Sequence, residues 1–166
     1  MATTMTNPSI RPNPLSGVQE FQKRAPINVV RIAEALGLKV YEDELPPGIS
    51  GKIIKDPLPR GGAAGYSIIA NIKEATTRKR FTIAHEISHF ILHRDQIGDG
   101  LTDDALYRSG LSTVAEVRAN KLAADILMPF VLIEEEIKKG ATSIRDLANI
   151  FQVSIQAMSV RLGIPT

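Results

Sequence analysis

The three histidines of the sequence stand at positions 85, 89 and 93, in the string R-F-T-I-A-H-E-I-S-H-F-I-L-H. On an α-helix, residues four apart share a face and lie about 6 Å apart along the axis. His85 and His89 can therefore place two imidazoles on one metal ion at bond lengths of about 2.1 Å. His85 and His93 are separated by about 12 Å along the same axis, which makes His93 an outer residue or a lid. Pairing His89 with His93 instead would leave Phe90 where hydrolysis needs a base. Glu86 therefore decides for the first pair. Rotated about 100° from His85, its carboxylate is turned away from ligation. It can still reach a water held by the ion, take its proton and pass that proton to a leaving amine. H-E-x-x-H on a helix thus predicts a metal-dependent hydrolase, with His85 and His89 as ligands and Glu86 as the general base. The oxyanion of the intermediate needs a further donor, for which Tyr107, His93 and Arg108 are unranked candidates.

The third ligand must come from elsewhere. In the longer pattern H-E-x-x-H-x-x-G-x-x-H, Leu92 stands at the glycine position and Asp95 at the last histidine. A carboxylate on a second helix is the expectation. Glu116 begins V-A-E-V-R-A-N-K-L-A-A-D, and Asn120, one turn on, shares its face and is placed to hold a ligand by an outer hydrogen bond. Asp125 lies about 180° round that helix from Glu116 and cannot serve beside it. Asp95, Asp99, Asp103 and Asp104 occupy a polar stretch and are weaker rivals, because loop carboxylates are mostly solvated. Spacing favours Glu116 without excluding them.

The elements that position these groups can be read from periodicity. Residues 1–25 are rich in proline and without apolar period, and predict a flexible arm. Ile27–Leu36 fits a short amphipathic helix ended by Gly37. Strands are expected at Leu38–Tyr41, Gly51–Ile54 and Tyr66–Asn71, separated by Pro46-Pro47-Gly48 and by D-P-L-P-R-G-G-A-A-G. Helical spacing runs from Thr77 to about His93 and again from Val114 to Leu127. A third helix begins at Phe130 after Met128-Pro129 and stops at Gly140. Two short helices capped by Ser143 and Ser154 follow. The class is α+β: a small mixed or antiparallel sheet of about three strands, a mainly helical zincin-like body, and a C-terminal helix-turn-helix-like pair. The divisions expected are an arm over 1–25, a metallopeptidase domain over 26–142 and a subdomain packed on it over 143–166.

Composition narrows the function. Over 166 residues, 43% are apolar and 23% charged, the balance of a folded domain. With no cysteine, disulfides, thiolate zinc sites and a cysteine nucleophile are excluded. No apolar run reaches the ~18 residues of a membrane span and no secretory leader is visible, so the cytoplasm is the expected compartment. The net charge of +2 falls in residues 1–25, where Arg11, Lys23 and Arg24 outnumber Glu20. The remainder is balanced, which argues against broad nucleic-acid binding. In the C-terminal pair, with Val153-Ser154 as the turn and Ile155–Leu162 as the reading helix, only Arg161 and Gln156 could contact DNA. Packing or partner recognition is the favoured role. Arg78, Lys79 and Arg80 are read as a solvated face, with contact to an acidic substrate segment as the alternative. Gly61, Gly62 and Gly65 lack the lysine of a phosphate-binding loop.

The string R-K-R-F-T-I-A-H-E-I-S-H-F-I-L-H, followed by E-V-R-A-N-K-L-A-A-D-I-L-M-P, resembles the ImmA/IrrE family of metallopeptidases. The resemblance extends over about residues 26–166, including I-S-G-K-I and L-A-N-I-F-Q-V-S-I-Q-A-M-S-V-R-L. It implies metal ligation by His85, His89 and Glu116, with Glu86 as catalytic base. Asp125 stands where such proteins often have a glutamate. The implied cofactor is Zn2+, with Mn2+ as the alternative. The implied role is cleavage or inactivation of an XRE-type helix-turn-helix repressor to derepress genes. A non-proteolytic reading, in which the chain binds DNA or sequesters a partner as part of a toxin–antitoxin-like pair, is the alternative.

Overall fold

The computed structural model describes residues 15–98 and 113–165. The rivals Asp99, Asp103 and Asp104, and the oxyanion candidates Tyr107 and Arg108, lie outside the described residues. The first helix, α1 (Val29–Ala35), begins where Asn28 Oδ1 accepts from the Arg31 amide at 3.1 Å. It ends ahead of Gly37, whose φ of +82° is the left-handed conformation a side chain disfavours.

Strands β1 (Leu38–Asp43), β2 (Gly51–Lys55) and β3 (Tyr66–Asn71) form one mixed sheet in the order β1-β3-β2. β1 runs parallel to β3 with Leu38 opposite Tyr66, and β2 runs antiparallel with Gly51 opposite Ala70. As the central strand, β3 is buried from Ser67 to Asn71, so alternation gives way to a continuous apolar run. Its two polar side chains are satisfied. Ser67 Oγ donates to Asp56 Oδ2 at 2.8 Å, and Asn71 Nδ2 donates to Ile49 O at 2.9 Å.

Helix α2 (Thr76–Leu92) leaves the sheet directly and carries all three histidines, with His93 as its C-cap. From Thr82 to Phe90 it is buried apart from His85. Ile83, Ile87 and Phe90 join the core, while Ser88 returns its hydroxyl proton to Ala84 O at 2.8 Å. Close approach of α2 to β2 requires glycine at position 51, where a Cβ would stand 2.4 Å from Thr82 Cγ2 and 2.8 Å from Ile69 O.

Helix α3 (Thr113–Leu127) packs along α2, followed by α4 (Phe130–Lys138), α5 (Ile144–Phe151) and α6 (Ile155–Arg161). Ser143 and Asp146 form a reciprocal capping box on α5, and Ser154 Oγ accepts from the Ala157 amide on α6. One hydrophobic cluster runs from Ile32 and Ile68 through Ile87, Ala123 and Ile126 to Leu147, Phe151 and Met158. The C-terminal pair thus shares its core with the body.

Two expectations change at this point, and a third gains its partners. Within the stretch expected as an arm, residues 15–25 are tied to the body: Val18 is 1% exposed and Gln22 Nε2 donates to Asp125 O and Ile126 O. Proline spacing concealed one apolar anchor and one amide that reaches the end of α3. The Arg78–Arg80 run is not simply solvated. Arg80 donates to Gln152 O at 3.1 Å and Phe151 O at 3.3 Å, capping α5 with a cation where its dipole favours one. Lys79 pairs with Glu42 at 2.9 Å. Arg161 follows the packing role favoured for the C-terminal pair: Nη1 meets Asp125 Oδ1 at 2.6 Å, Nε donates to Met128 O at 2.9 Å, and the guanidinium lies 3.9 Å from the Phe130 ring centroid.

The Arg161 cluster makes a stability prediction. Arg161→Ala removes a hydrogen-bonded ion pair and a cation–π contact, but Asp125 is 33% exposed and its orphaned carboxylate is partly hydrated. We expect a loss of about 2 kcal/mol, lowering Tm by about 6 °C in a chain of this size. Thermal denaturation of Arg161→Ala, Asp125→Ala and the double variant checks this. Additive effects would mean that the pair contributes no coupling.

Candidate metal centre

Helical spacing on α2 puts His85 and His89 on the side facing α3, and packing of the two helices brings Glu116 opposite them. His85 Nε2 and His89 Nε2 are 3.0 Å apart. Glu116 Oε2 is 3.3 Å from the first and Oε1 is 3.2 Å from the second. Ligand atoms of these three residues all lie within 4.8 Å of one another, the one such grouping among the described residues. A tetrahedral ion with bonds near 2.1 Å holds its donors about 3.4 Å apart, so two imidazole nitrogens and a carboxylate oxygen fit a divalent transition metal. The same donor set leaves a fourth position open, the arrangement of a catalytic site.

The outer contacts orient the donors. His89 Nδ1 lies 3.1 Å from His93 Nδ1. If His89 offers its Nε2 lone pair to a metal, its Nδ1 carries the proton and donates to His93. His93 is 8% exposed. Burial lowers its pKa, and the Arg118 charge adds to that, both favouring the neutral imidazole an acceptor requires. His93 is thus an outer contact. His85 Nδ1 is buried without a hydrogen-bond partner among the described residues.

Glu86 is 2% exposed and lines the same cleft as His85 and Glu116. It stands outside the three-residue grouping. Asn120 also lines the cleft, but the expected bond from it to Glu116 or a histidine is absent among the described residues. Asp125 faces α6, and Asp95 does not join the grouping.

The cleft has a volume of about 870 Å³. Its walls include Gly51 from β2, Arg78 and Phe81 from α2, Lys121 from α3, and Gln156, Ala157 and Val160 from α6. Sequence reasoning missed the α6 wall. No local pattern could have shown it, because it depends on how the C-terminal pair docks.

Similarity to known proteins agrees with this geometry. Residues 33–163 match the Peptidase_M78 family, described as the IrrE N-terminal-like domain. The chain is 40% identical over 85 residues to the radiation response metalloprotease IrrE of Deinococcus radiodurans, covering 50% of this chain and 25% of that protein. It is 38% identical over 87 residues to the protein of the same name from Deinococcus deserti, covering 51% and 30%. The chain therefore spans less than a third of the length of these relatives. A solved structure described as a Mycobacterium tuberculosis transcriptional regulator superposes with a TM-score of 0.57 at 17% identity, covering 91% of this chain and 46% of that one, and shares the fold. With the family matched over most of its length, the chain belongs to the IrrE N-terminal-like, Peptidase_M78 family.

Proposed function

We propose that this chain is a zinc-dependent endopeptidase acting in the cytoplasm on an XRE-type helix-turn-helix repressor, whose cleavage derepresses genes. The observation that carries the peptidase reading is the convergence of His85, His89 and Glu116 beside a buried Glu86 in one cleft. The repressor as target rests on the resemblance to the ImmA/IrrE family. In this reading residues 26–142 carry the peptidase and 143–166 form a subdomain against it.

His85, His89 and Glu116 would hold the ion through two Nε2 atoms and a carboxylate. A bound zinc ion would supply a Lewis acid and lower the pKa of water to about 7. Glu86 acts as the base: its carboxylate takes a proton from the attacking water and delivers it to the amine that leaves. His93 positions His89. Replacing it with leucine should weaken zinc binding by about 10–100-fold, read by competition with a chromophoric chelator, while the far-UV spectrum stays unchanged.

The direct test is incubation of the zinc-loaded protein with a purified XRE-type repressor, with and without chelator. Defined fragments that disappear with chelator support the proposal. An intact repressor held in a stable complex would instead favour partner sequestration. DNA reading by α6 is disfavoured by the commitment of Arg161 to Asp125, Met128 and Phe130.

A further inference from the structure

The cleft beside the metal centre has a charge asymmetry. Of its two carboxylates, Glu116 belongs to the metal grouping and Glu86 follows His85 on the same helix. Its cations are Arg78, Lys121 and Arg161, and the last is neutralised by Asp125. Among the described residues Arg78 donates to Ser50 Oγ alone, at 3.3 Å from both Nε and Nη2, and that hydroxyl in turn donates to Glu74 at 3.1 Å. Lys121 is exposed, and neither it nor Arg78 has a carboxylate within ion-pair distance among the described residues. Of the basic run at 78–80, Lys79 and Arg80 are consumed by Glu42 and the end of α5, which leaves Arg78 as the member that faces the cleft.

We propose that this cleft selects a peptide segment carrying an acidic side chain, recognised by Arg78 of α2 and Lys121 of α3. The inference rests on the peptidase reading and names the substrate class for the same site. Position follows from helix geometry. Arg78 lies two turns before His85 on nearly the same face, about 10 Å along the axis. An extended chain advances about 3.3 Å per residue, so the acidic side chain falls about three residues from the scissile bond. Phe81, Ala157 and Val160 also line the cleft and give it an apolar wall, suited to an uncharged side chain of the same segment.

The experiment uses the zinc-loaded full chain and an equimolar library of decapeptides randomised at each position. Peptides retained by immobilised Glu86→Gln protein, and those cut by wild type, are read by mass spectrometry. We expect about fivefold enrichment of Asp and Glu over Asn and Gln at one position, the sum of two exposed charge contacts, fading as salt rises. Enrichment should invert toward Lys and Arg in Arg78→Glu/Lys121→Glu and persist in Lys138→Glu, a charge reversal outside the cleft. Retention without acidic preference, no retention, or a preference that survives the double reversal overturns the inference. Cleavage by wild type without that preference leaves the peptidase reading standing. Acidic enrichment with no cleavage sinks the peptidase reading alone.

Discussion

Glu86→Gln is expected to retain a full equivalent of zinc and to lose peptide cleavage by about a thousandfold, within the 10²–10⁴ range of general-base effects. The substitution keeps the size and planarity of the side chain but removes its ability to accept a proton at neutral pH. Glu86 is 2% exposed, and the amide fills the same space at a smaller desolvation cost than an ionised carboxylate, so the fold should be maintained. Retained metal separates a missing base from a damaged centre. Metal content by mass spectrometry beside initial cleavage rates provides both readings. A variant that cleaves within a few-fold of wild type would remove Glu86 from the mechanism.

Glu116→Ala is expected to lose metal rather than chemistry alone. Glu116 spans the two histidines, with one carboxylate oxygen near each Nε2, and its removal leaves two neutral donors for a divalent cation. The loss in affinity should exceed the 10–100-fold typical of an outer partner, so metal purified with the chain should fall from near one equivalent to a small fraction. The side chain of Glu116 is 38% exposed, so its truncation makes no core cavity. Unchanged circular dichroism with lost metal is the expected pair of results. Equal metal in variant and wild type would mean that Glu116 is not a ligand.

Much of the candidate site was legible in the sequence because two of its imidazoles and the carboxylate beside them sit on one helix. Four-residue spacing sets the relation of His85 to His89, and one-residue spacing turns Glu86 away from them, before any packing is known. Caps were equally local: Gly37, Ser143 and Ser154 act on backbone groups within a few residues of themselves, whereas the Asn28 cap went unread because the helix was expected to begin at Ile27. Sheet order was not local. Nothing in the strand patterns distinguishes β1-β3-β2 from a simple meander, because alternation records which face is buried and not which edge is paired.

The surface charges were the least legible part. Arg80 and Lys79 belong to a run that reads as solvated, and Arg161 to a helix whose favoured role is packing but whose partner the pattern does not name. Their partners (the α5 carbonyls, Glu42 and Asp125) lie tens of residues away, and a long side chain gives no sign of which distant acceptor it will reach. By itself, then, the sequence determined most of the elements, several of their caps and the placing of two imidazoles beside a carboxylate, since all of these depend on bonds and periods within one segment. Tertiary structure alone decided that Glu116 meets His85 and His89, that His93 backs His89 within a closed interior, and that α6 walls the cleft. Those relations depend on how the apolar faces of α2, α3 and the C-terminal pair close on a common core, and that closure is set by shape complementarity over the whole chain.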